Sequence, residues 1–327
     1  MKVCVVGAGS IGGFIGARLA HSGAAQVSAV ARGATLAALR EHGWWLEEGG
    51  EVLRAPARAS DRPADLGPQD LVVLAVKGPS IAALAPTLAP LLGEHTVVLP
   101  AVNGVPWWFG AATPVLQAAP LESVDPGGRV LAALPLARVI GCVVHISAAA
   151  PAPGRVLHRA GRRLIIGEPV GGPSARVAAV AAVLARGGFE VEQSERLRHD
   201  LWYKLWGNMT MNPVSALTGA TSDRILADAQ LRGFCSAVMR EAAALGERIG
   251  CTIDEDPEAR HAVTMKLGAF KTSMLQDAEA GRPLELDALV TAVREIAVRL
   301  QMPTPFLDGL LGLTRVFAQT RHLLPND

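Results

Sequence analysis

Lys2-Val3-Cys4-Val5-Val6-Gly7-Ala8-Gly9-Ser10-Ile11-Gly12 opens the chain. Residues 2–6 form the short β-branched run of a strand buried on both faces, and they lead without a break into a G-x-G-x-x-G turn. The spacing predicts a helix over Ser10 to His21, with Ile11, Phe14, Ile15 and Leu19 at helical intervals and Gly23 where a helix stops. Each glycine in such a strand–turn–helix unit has its own reason. Gly7 permits the tight turn, Gly9 lets backbone approach a pyrophosphate, and Gly12 lets helix pack on strand. Ala8, Ser10 and Ile11 complete a turn whose N–H groups, at a helix N-terminus, suit an anion. The competing reading is a merely tight turn. The position of the pattern between strand and helix favours a dinucleotide.

Further along, a second strand over Gln26 to Val30 ends where such folds test the adenosine ribose, and an acid there would indicate NAD. This chain has Ala31, Arg32 and Gly33, with no carboxylate before Glu41. A guanidinium suits a 2′-phosphate, so Arg32 points to NADP(H) rather than to a solvated surface arginine. Residues 44–55 read as a strand pair turning at Gly49-Gly50, with Trp44 and Trp45 as packing residues. Asp70 to Val76 is the next buried strand, and Lys77 stands at its carboxyl end, the ligand edge of an open α/β sheet. A helix at about Ser80 to Leu92 and a strand over Thr96 to Pro100 lead to Asn103-Gly104, followed by Trp107-Trp108, two indoles placed to roof a pocket. Asn103 can donate and accept, which fits a nicotinamide amide or a substrate group; the bland reading is an Asn-Gly turn. Residues 110–137 resemble an irregular insertion. A strand from Arg138 to about Ser147, a hairpin over Gly154 to Ile166 turning near Ala160-Gly161, a helix over Pro173 to Gly187 and a strand over Phe189 to Val191 close the sheet. His145 reads as a packed sheet histidine.

From Glu195 the pattern becomes helical. The expected architecture is therefore α/β: an N-terminal Rossmann-type dinucleotide-binding domain over 1–194 and a C-terminal all-helical domain over 195–327. The helix His199 to Asn212 carries Lys204, Asn208 and Asn212 every fourth residue among Leu201, Trp202, Leu205 and Trp206. That spacing puts an ammonium and two amides on one face, which meets either water or a small ligand. Further helices are expected at about Leu226 to Ile249, Pro257 to Lys266, Leu284 to Leu300 and Pro305 to Arg321. Pro283 reads as a first helical residue and Glu285 as a first-turn acid.

The 327 residues are 50% hydrophobic and 19% charged, with a formal net charge of +1 and the two signs mixed. That leaves no footprint for nucleic acid or a membrane surface and points to a small-molecule partner. Cys4, Cys142, Cys235 and Cys251 have neither disulfide nor metal spacing, so no metal is expected and the composition fits a cytoplasmic protein. The apolar helical half is compatible with an internal core or with a homodimer interface.

Taken together, Gly7 to Gly12, Arg32, Lys77, Asn103-Gly104, Lys204-x-x-x-Asn208-x-x-x-Asn212-Pro213 and Ser273-Met-Leu-Gln-Asp with Glu285 resemble the ketopantoate reductase (2-dehydropantoate 2-reductase) family, from residue 1 to about 300. The glycine turn is shared widely, whereas the lysine helix and the Ser273 stretch are specific. The resemblance implies NADPH-dependent reduction of a 2-oxo acid, ketopantoate first of all, in a cleft between the two domains. It makes Lys204 the general acid, places Glu285 at the junction of cofactor and substrate, and gives Asn103, Asn208, Asn212 and Ser273 to substrate or nicotinamide, with Ser147 near the cofactor. Departures from the family's pattern are Val102 before Asn103, Phe270 three residues before Ser273, and Ser222 where a further asparagine is usual. They leave open a D-2-hydroxyacid dehydrogenase acting on a bulkier 2-oxo acid. A non-catalytic NADP-binding sensor on the same fold is the remaining alternative.

Overall fold

The apolar run at the N-terminus becomes the central strand of a parallel sheet in the computed structural model, which describes residues 1–324. The chain forms two compact units, Met1–Val102 with Gly128–Asp200, and Asn103–Gly127 with Leu201 onward. In the first, β1 (Lys2–Val6), α1 (Ser10–His21), β2 (Gln26–Val30), α2 (Gly33–His42), β3 (Trp44–Glu48), β4 (Glu51–Ala55), β5 (Arg58–Ser60), β6 (Gln69–Leu74), α3 (Ile81–Leu84) and β7 (Leu92–Pro100) come first. They are followed by α4 (Arg129–Ala133), β8 (Gly141–Ala152), β9 (Arg155–Gly167), α5 (Ala175–Arg186) and β10 (Glu190–Gln193).

One sheet has the order β5-β2-β1-β6-β7, every pair parallel. The chain winds outward from β1 on one side and then crosses to β6 on the other. The carboxyl ends of β1 and β6 therefore flank the switch point where open α/β sheets take ligands.

The strands expected to close this sheet form a second one instead, ordered β10-β9-β3-β4, with β8 paired to β9. β3 and β4 turn at Gly49 and Gly50, whose φ angles of 60° and 86° suit a tight hairpin. The hairpin expected within 154–166 is a single strand, β9, running antiparallel to β8. The turn lies at Gly154, and Gly161 occupies a bulge at φ 74° where a Cβ would lie 2.4 Å from the His145 carbonyl oxygen. The helix expected over 80–92 is broken into α3 between 3₁₀ turns, because Pro86 and Pro90 lack the N–H groups a continuous helix needs.

Helix α1 sits between the two sheets, and glycines make that approach feasible. A Cβ at Gly12 would meet Ala75 and Val5 on one side, at Gly13 Val156, and at Gly16 the Trp44 ring at 2.4 Å. Glycine in a helix costs about 0.5–1 kcal/mol against alanine. Burying an indole of roughly 200 Å² contributes on the order of 5 kcal/mol, and Trp44 is only 1% exposed, so the packing outweighs the helix penalty. Arg18, on the same helix, binds the buried Glu48 carboxylate, which Arg162 Nε and His158 Nδ1 also meet, each at 3.0 Å.

The second unit holds most of α6 (Leu197–Thr218), then α7 (Ser222–Ala227), α8 (Ala229–Arg248), α9 (Pro257–Met265) and α10 (Ser273–Glu279). A π-helical turn at Asp287–Thr291 runs into α11 (Ala292–Arg299), and α12 (Pro305–Thr320) follows. The α6 indoles are satisfied as well as buried: Trp202 Nε1 donates to the Ala242 carbonyl at 3.1 Å and Trp206 Nε1 to that of Met239 at 2.7 Å. Phe109 stacks on Trp202 with centroids 5.9 Å apart, which draws the 103–127 segment into this unit. Glu295 on α11 holds the same segment by accepting the backbone N–H groups of Glu122 and Ser123 at 2.9 and 2.8 Å. Burial pushes the Glu295 carboxyl up, but these donors and the Ser123 hydroxyl outweigh it and leave the group below its ordinary value.

Gly16→Ala tests the account of α1. The added methyl must displace a ring sealed in the core, so we expect a loss of about 1–3 kcal/mol in urea unfolding despite the gain in helix propensity.

Candidate functional site

The glycine turn separates into residues the fold requires and one it does not. Gly7 has φ +91°, donates its N–H to the Val30 carbonyl at 3.0 Å, and leaves no room for a Cβ, which would lie 2.5 Å from Val76. At Gly12 a Cβ would lie 2.1 Å from the Gly7 carbonyl oxygen. At Gly9, by contrast, a Cβ would meet nothing within 4 Å. The protein's own packing does not explain that glycine, whereas backbone approach by a pyrophosphate does. No acid occupies the first turn of α1, so its N-terminus stays favourable to an anion.

Other expected cofactor residues lie at the carboxyl ends of the same sheet. Arg32 is exposed, in extended backbone at the N-cap of α2 directly after β2. Lys77 follows β6 at the start of a 3₁₀ turn and is half-buried. Ser147 lies elsewhere: it is half-buried on β8 of the second sheet, opposite Ala160.

In the second unit, Lys204 Nζ donates to Asn103 Oδ1 at 2.9 Å. Two distant pieces of chain produce that contact. In the π turn the Ala292 N–H bonds to the Asp287 carbonyl, five residues back. The Ala288 carbonyl is thereby released from the helix ladder and accepts the Val105 N–H at 2.7 Å. Gly104, at φ +78°, makes the approach feasible, since a Cβ there would lie 2.5 Å from the Ala288 oxygen. Asn103 is thus clamped, through its own loop, to the helix that begins after Glu285.

Glu285 is half-buried and Pro283 precedes the helix rather than starting it. The segment is held outside the helix by a hydrogen bond from Leu284 N–H to the Leu323 carbonyl at 2.8 Å, a long-range tie that overrides the local first-turn pattern. Along α6, Asn208 is half-buried like Lys204, whereas Asn212 is 5% exposed. Farther along, Ser215 meets Thr272 hydroxyl to hydroxyl at 2.5 Å, and Thr272 caps α10 by accepting the Leu275 N–H at 3.2 Å. That capping places the exposed Ser273 at the first position of α10. Sequence reasoning missed Thr272 and Ser215; the Thr-Ser pair ahead of an apolar turn was the available capping signal.

One reading needs correction. Trp107 and Trp108 are 1% and 0% exposed and belong to the core, so they roof no pocket; the stacked Phe109–Trp202 pair explains the inward turn of this segment. Ser222 is 1% exposed, its hydroxyl donates to the Gly268 carbonyl at 3.2 Å and its N–H to that of Phe270 at 3.0 Å, so its role is to brace that loop. Phe270 itself is 39% exposed. Burial pushes the thiols of Cys4 and Cys235 up to about 11 and about 12, which makes both poor nucleophiles. Among the described residues no cluster suited to a metal ion occurs, and no helix is long and apolar enough to cross a membrane.

A glycine turn at the switch point of a parallel sheet, with a lysine–asparagine pair on a helical second unit, defines a Rossmann-type oxidoreductase. The chain matches the family profiles described as ketopantoate reductase PanE/ApbA over residues 3–171 and as its C-terminal part over 196–318. It is 43% identical over 323 residues to a 2-dehydropantoate 2-reductase of Mesorhizobium japonicum, covering 98% of this chain and 99% of the relative. A 2-dehydropantoate 2-reductase of Halobacterium salinarum is 27% identical, with 97% and 98% covered. Among solved structures, a Ralstonia solanacearum protein provisionally described as a ketopantoate reductase superposes with a TM-score of 0.95 at 54% identity, covering 98% of this chain and 99% of that one. The chain belongs to the ketopantoate reductase family and is an oxidoreductase acting on CH–OH groups.

Gly104→Ala should break the clamp, because the new Cβ faces backbone atoms that cannot yield and the residue keeps a left-handed φ. Thermal unfolding should show a loss of about 2–4 kcal/mol.

Proposed function

We propose that the protein reduces a 2-oxo acid to the 2-hydroxy acid with NADPH, and that ketopantoate is the substrate. The observation that carries this reading is the 2.9 Å hydrogen bond between Lys204 and Asn103, in a chain 43% identical over 323 residues to a protein named for that reaction. When bound, the dihydronicotinamide supplies the hydride to the carbonyl carbon.

Lys204 supplies the rest. Its ammonium polarises the carbonyl and passes a proton to the oxygen as the alkoxide forms, so the product is the alcohol and the lysine is left neutral. Asn103 fixes the ammonium by accepting from it. Because its carbonyl oxygen is used in this way, its NH₂ is the group left to meet an acceptor such as the nicotinamide amide. Asn208, one turn from Lys204, is placed to hold the bound oxygen or hydroxyl, and Ser273 to hold the substrate's far end. Asn212, a further turn on and 5% exposed, is the second positioning amide for the substrate. Glu285 is assigned to the junction between cofactor and substrate. Gly7 to Gly12 take the pyrophosphate, Arg32 the 2′-phosphate, Lys77 a phosphate or ribose, and Ser147 an outer position near the cofactor.

Phe270, exposed three residues before Ser273, favours a second reading: a D-2-hydroxyacid dehydrogenase acting on a more apolar 2-oxo acid. Initial rates with NADPH and NADH against ketopantoate, 2-oxoisovalerate, pyruvate, phenylpyruvate and benzoylformate separate the two. Fastest turnover of ketopantoate supports the first reading, a preference for the aromatic acids the second. No turnover of any would leave only a nucleotide-binding sensor.

Lys204→Ala should lower kcat by about 10² to 10⁴, the usual worth of a general acid, with the NADPH dissociation constant little changed. An unaltered kcat would sink the assignment. Arg32→Ala should weaken NADPH binding by roughly 10- to 150-fold, corresponding to a charge-assisted contact of about 1.5–3 kcal/mol, and leave NADH binding nearly unchanged. Equal losses for both nucleotides would count against the 2′-phosphate contact.

A further inference from the structure

The partly accessible stripe of α6 includes Tyr203, Lys204 and Asn208, yet Gly207, in the middle of it, is buried. What covers Gly207 is the guanidinium of Arg260 from α9. A Cβ on Gly207 would lie 3.0 Å from Arg260 Nε and 3.3 Å from one Nη. Arg260 Cζ also stands 5.2 Å from the centroid of the Tyr203 ring. A glycine inside a long helix costs about 0.5–1 kcal/mol, and here it allows a cation to lie flat against the helix within one turn of the lysine.

That cation is held by the ring and hydroxyl of Tyr203 rather than by a carboxylate. Among the described residues no carboxylate forms an ion pair with Arg260, and its Nε is buried without a hydrogen-bond partner. The nearby acid is engaged elsewhere, since the Tyr203 hydroxyl donates to Glu255 Oε2 at 2.5 Å. Burial first, and that hydrogen bond second, raise the tyrosine above its ordinary value, while the Arg260 charge pulls the other way, so the guanidinium lies within electrostatic reach of the hydroxyl. A half-buried cation whose partners are an aromatic ring and a hydroxyl, with no carboxylate paired to it, remains able to meet an arriving anion.

A 2-oxo acid brings such an anion. Its carboxylate is bonded directly to the carbonyl carbon, so a group that binds it must stand next to the group that protonates the carbonyl oxygen. Gly207 is three residues from Lys204 and adjacent to Asn208, and residues three and four apart share a helix face. We propose that Arg260 binds the substrate carboxylate through its Nη groups and that Gly207 is the cradle that lets it do so. This inference rests on the reading of the protein as a 2-oxo acid reductase. It adds the residue that makes the acid, rather than a neutral ketone, the preferred substrate.

The test compares each 2-oxo acid with its methyl ester, which keeps the carbonyl and removes the charge. Wild type should favour the acid in kcat/KM. Arg260→Ala should lose about 100-fold on the acid, as expected for charge-assisted hydrogen bonds, while changing less than about threefold on the ester. Arg260→Lys should recover part of the loss. Oxamate binding, followed by calorimetry, should weaken in parallel in Arg260→Ala. Gly207→Ala guards against a trivial folding defect: alanine favours the helix, so thermal stability should hold while the crowded guanidinium loses part of its preference for the acid. Equal losses on acid and ester, an unchanged ratio, or a wild type indifferent to the charge would each overturn the role of Arg260 alone. A wild type that reduces neither compound with either nucleotide would overturn the reductase reading, and the inference with it.

Discussion

The hydrogen bond from the Val105 N–H to the Ala288 carbonyl is the constraint on which the placement of Asn103 and Lys204 in the second unit depends. A carbonyl inside an α-helix is ordinarily taken by the N–H four residues on. Here a π turn passes that N–H back to Asp287 and frees Ala288 to hold a loop that is remote in sequence. The loop carries Asn103, and Asn103 holds Lys204. A local irregularity of one helix thus sets the direction of an ammonium on another. The cost is one weakened turn of helix; the return is an ammonium whose orientation does not rely on its own flexible stem alone.

The two units solve their packing problems differently. In the first, α1 is squeezed between sheets, and glycine removes the side chains that would hold them apart. In the second, large indoles fill the space between α6 and its neighbours, and each of the two on α6 finds a carbonyl for its N–H. Both solutions leave one edge of an element unencumbered: the N-terminus of α1 in one unit, the lysine stripe of α6 in the other.

What could be read in the sequence follows from the range of the interactions responsible. β1, α1, β2 and the β3–β4 turn match their expected bounds because alternation, helical period and paired glycines are local signals. The lysine stripe was equally legible, as periodicity within one helix. Segment 80–92 has the apolar spacing of one helix, but Pro86 and Pro90 outweigh that spacing and break it. The β8–β9 pair was misplaced because two glycines, Gly154 and Gly161, each look like a turn, and only pairing across strands tells turn from bulge. The start of the helix after Glu285 departs from its local signal because Leu323, about forty residues away, holds Leu284. The π turn and the seat of Arg260 have no sequence signature, since each exists only by virtue of a residue on another element.

The arrangement of α1 and α2 has an evolutionary consequence. α1 is pinned from both sides and tolerates almost no substitution along its glycine positions, whereas α2 buries only Leu36 and Leu39 and presents Arg32 at its exposed start. On the proposed role of Arg32, discrimination between the phosphorylated and unphosphorylated forms of the nucleotide would be carried by the less constrained of the two helices. A lineage carrying this fold could exchange one reducing currency for the other by drift at the mouth of α2, without disturbing the part of the molecule on which folding depends.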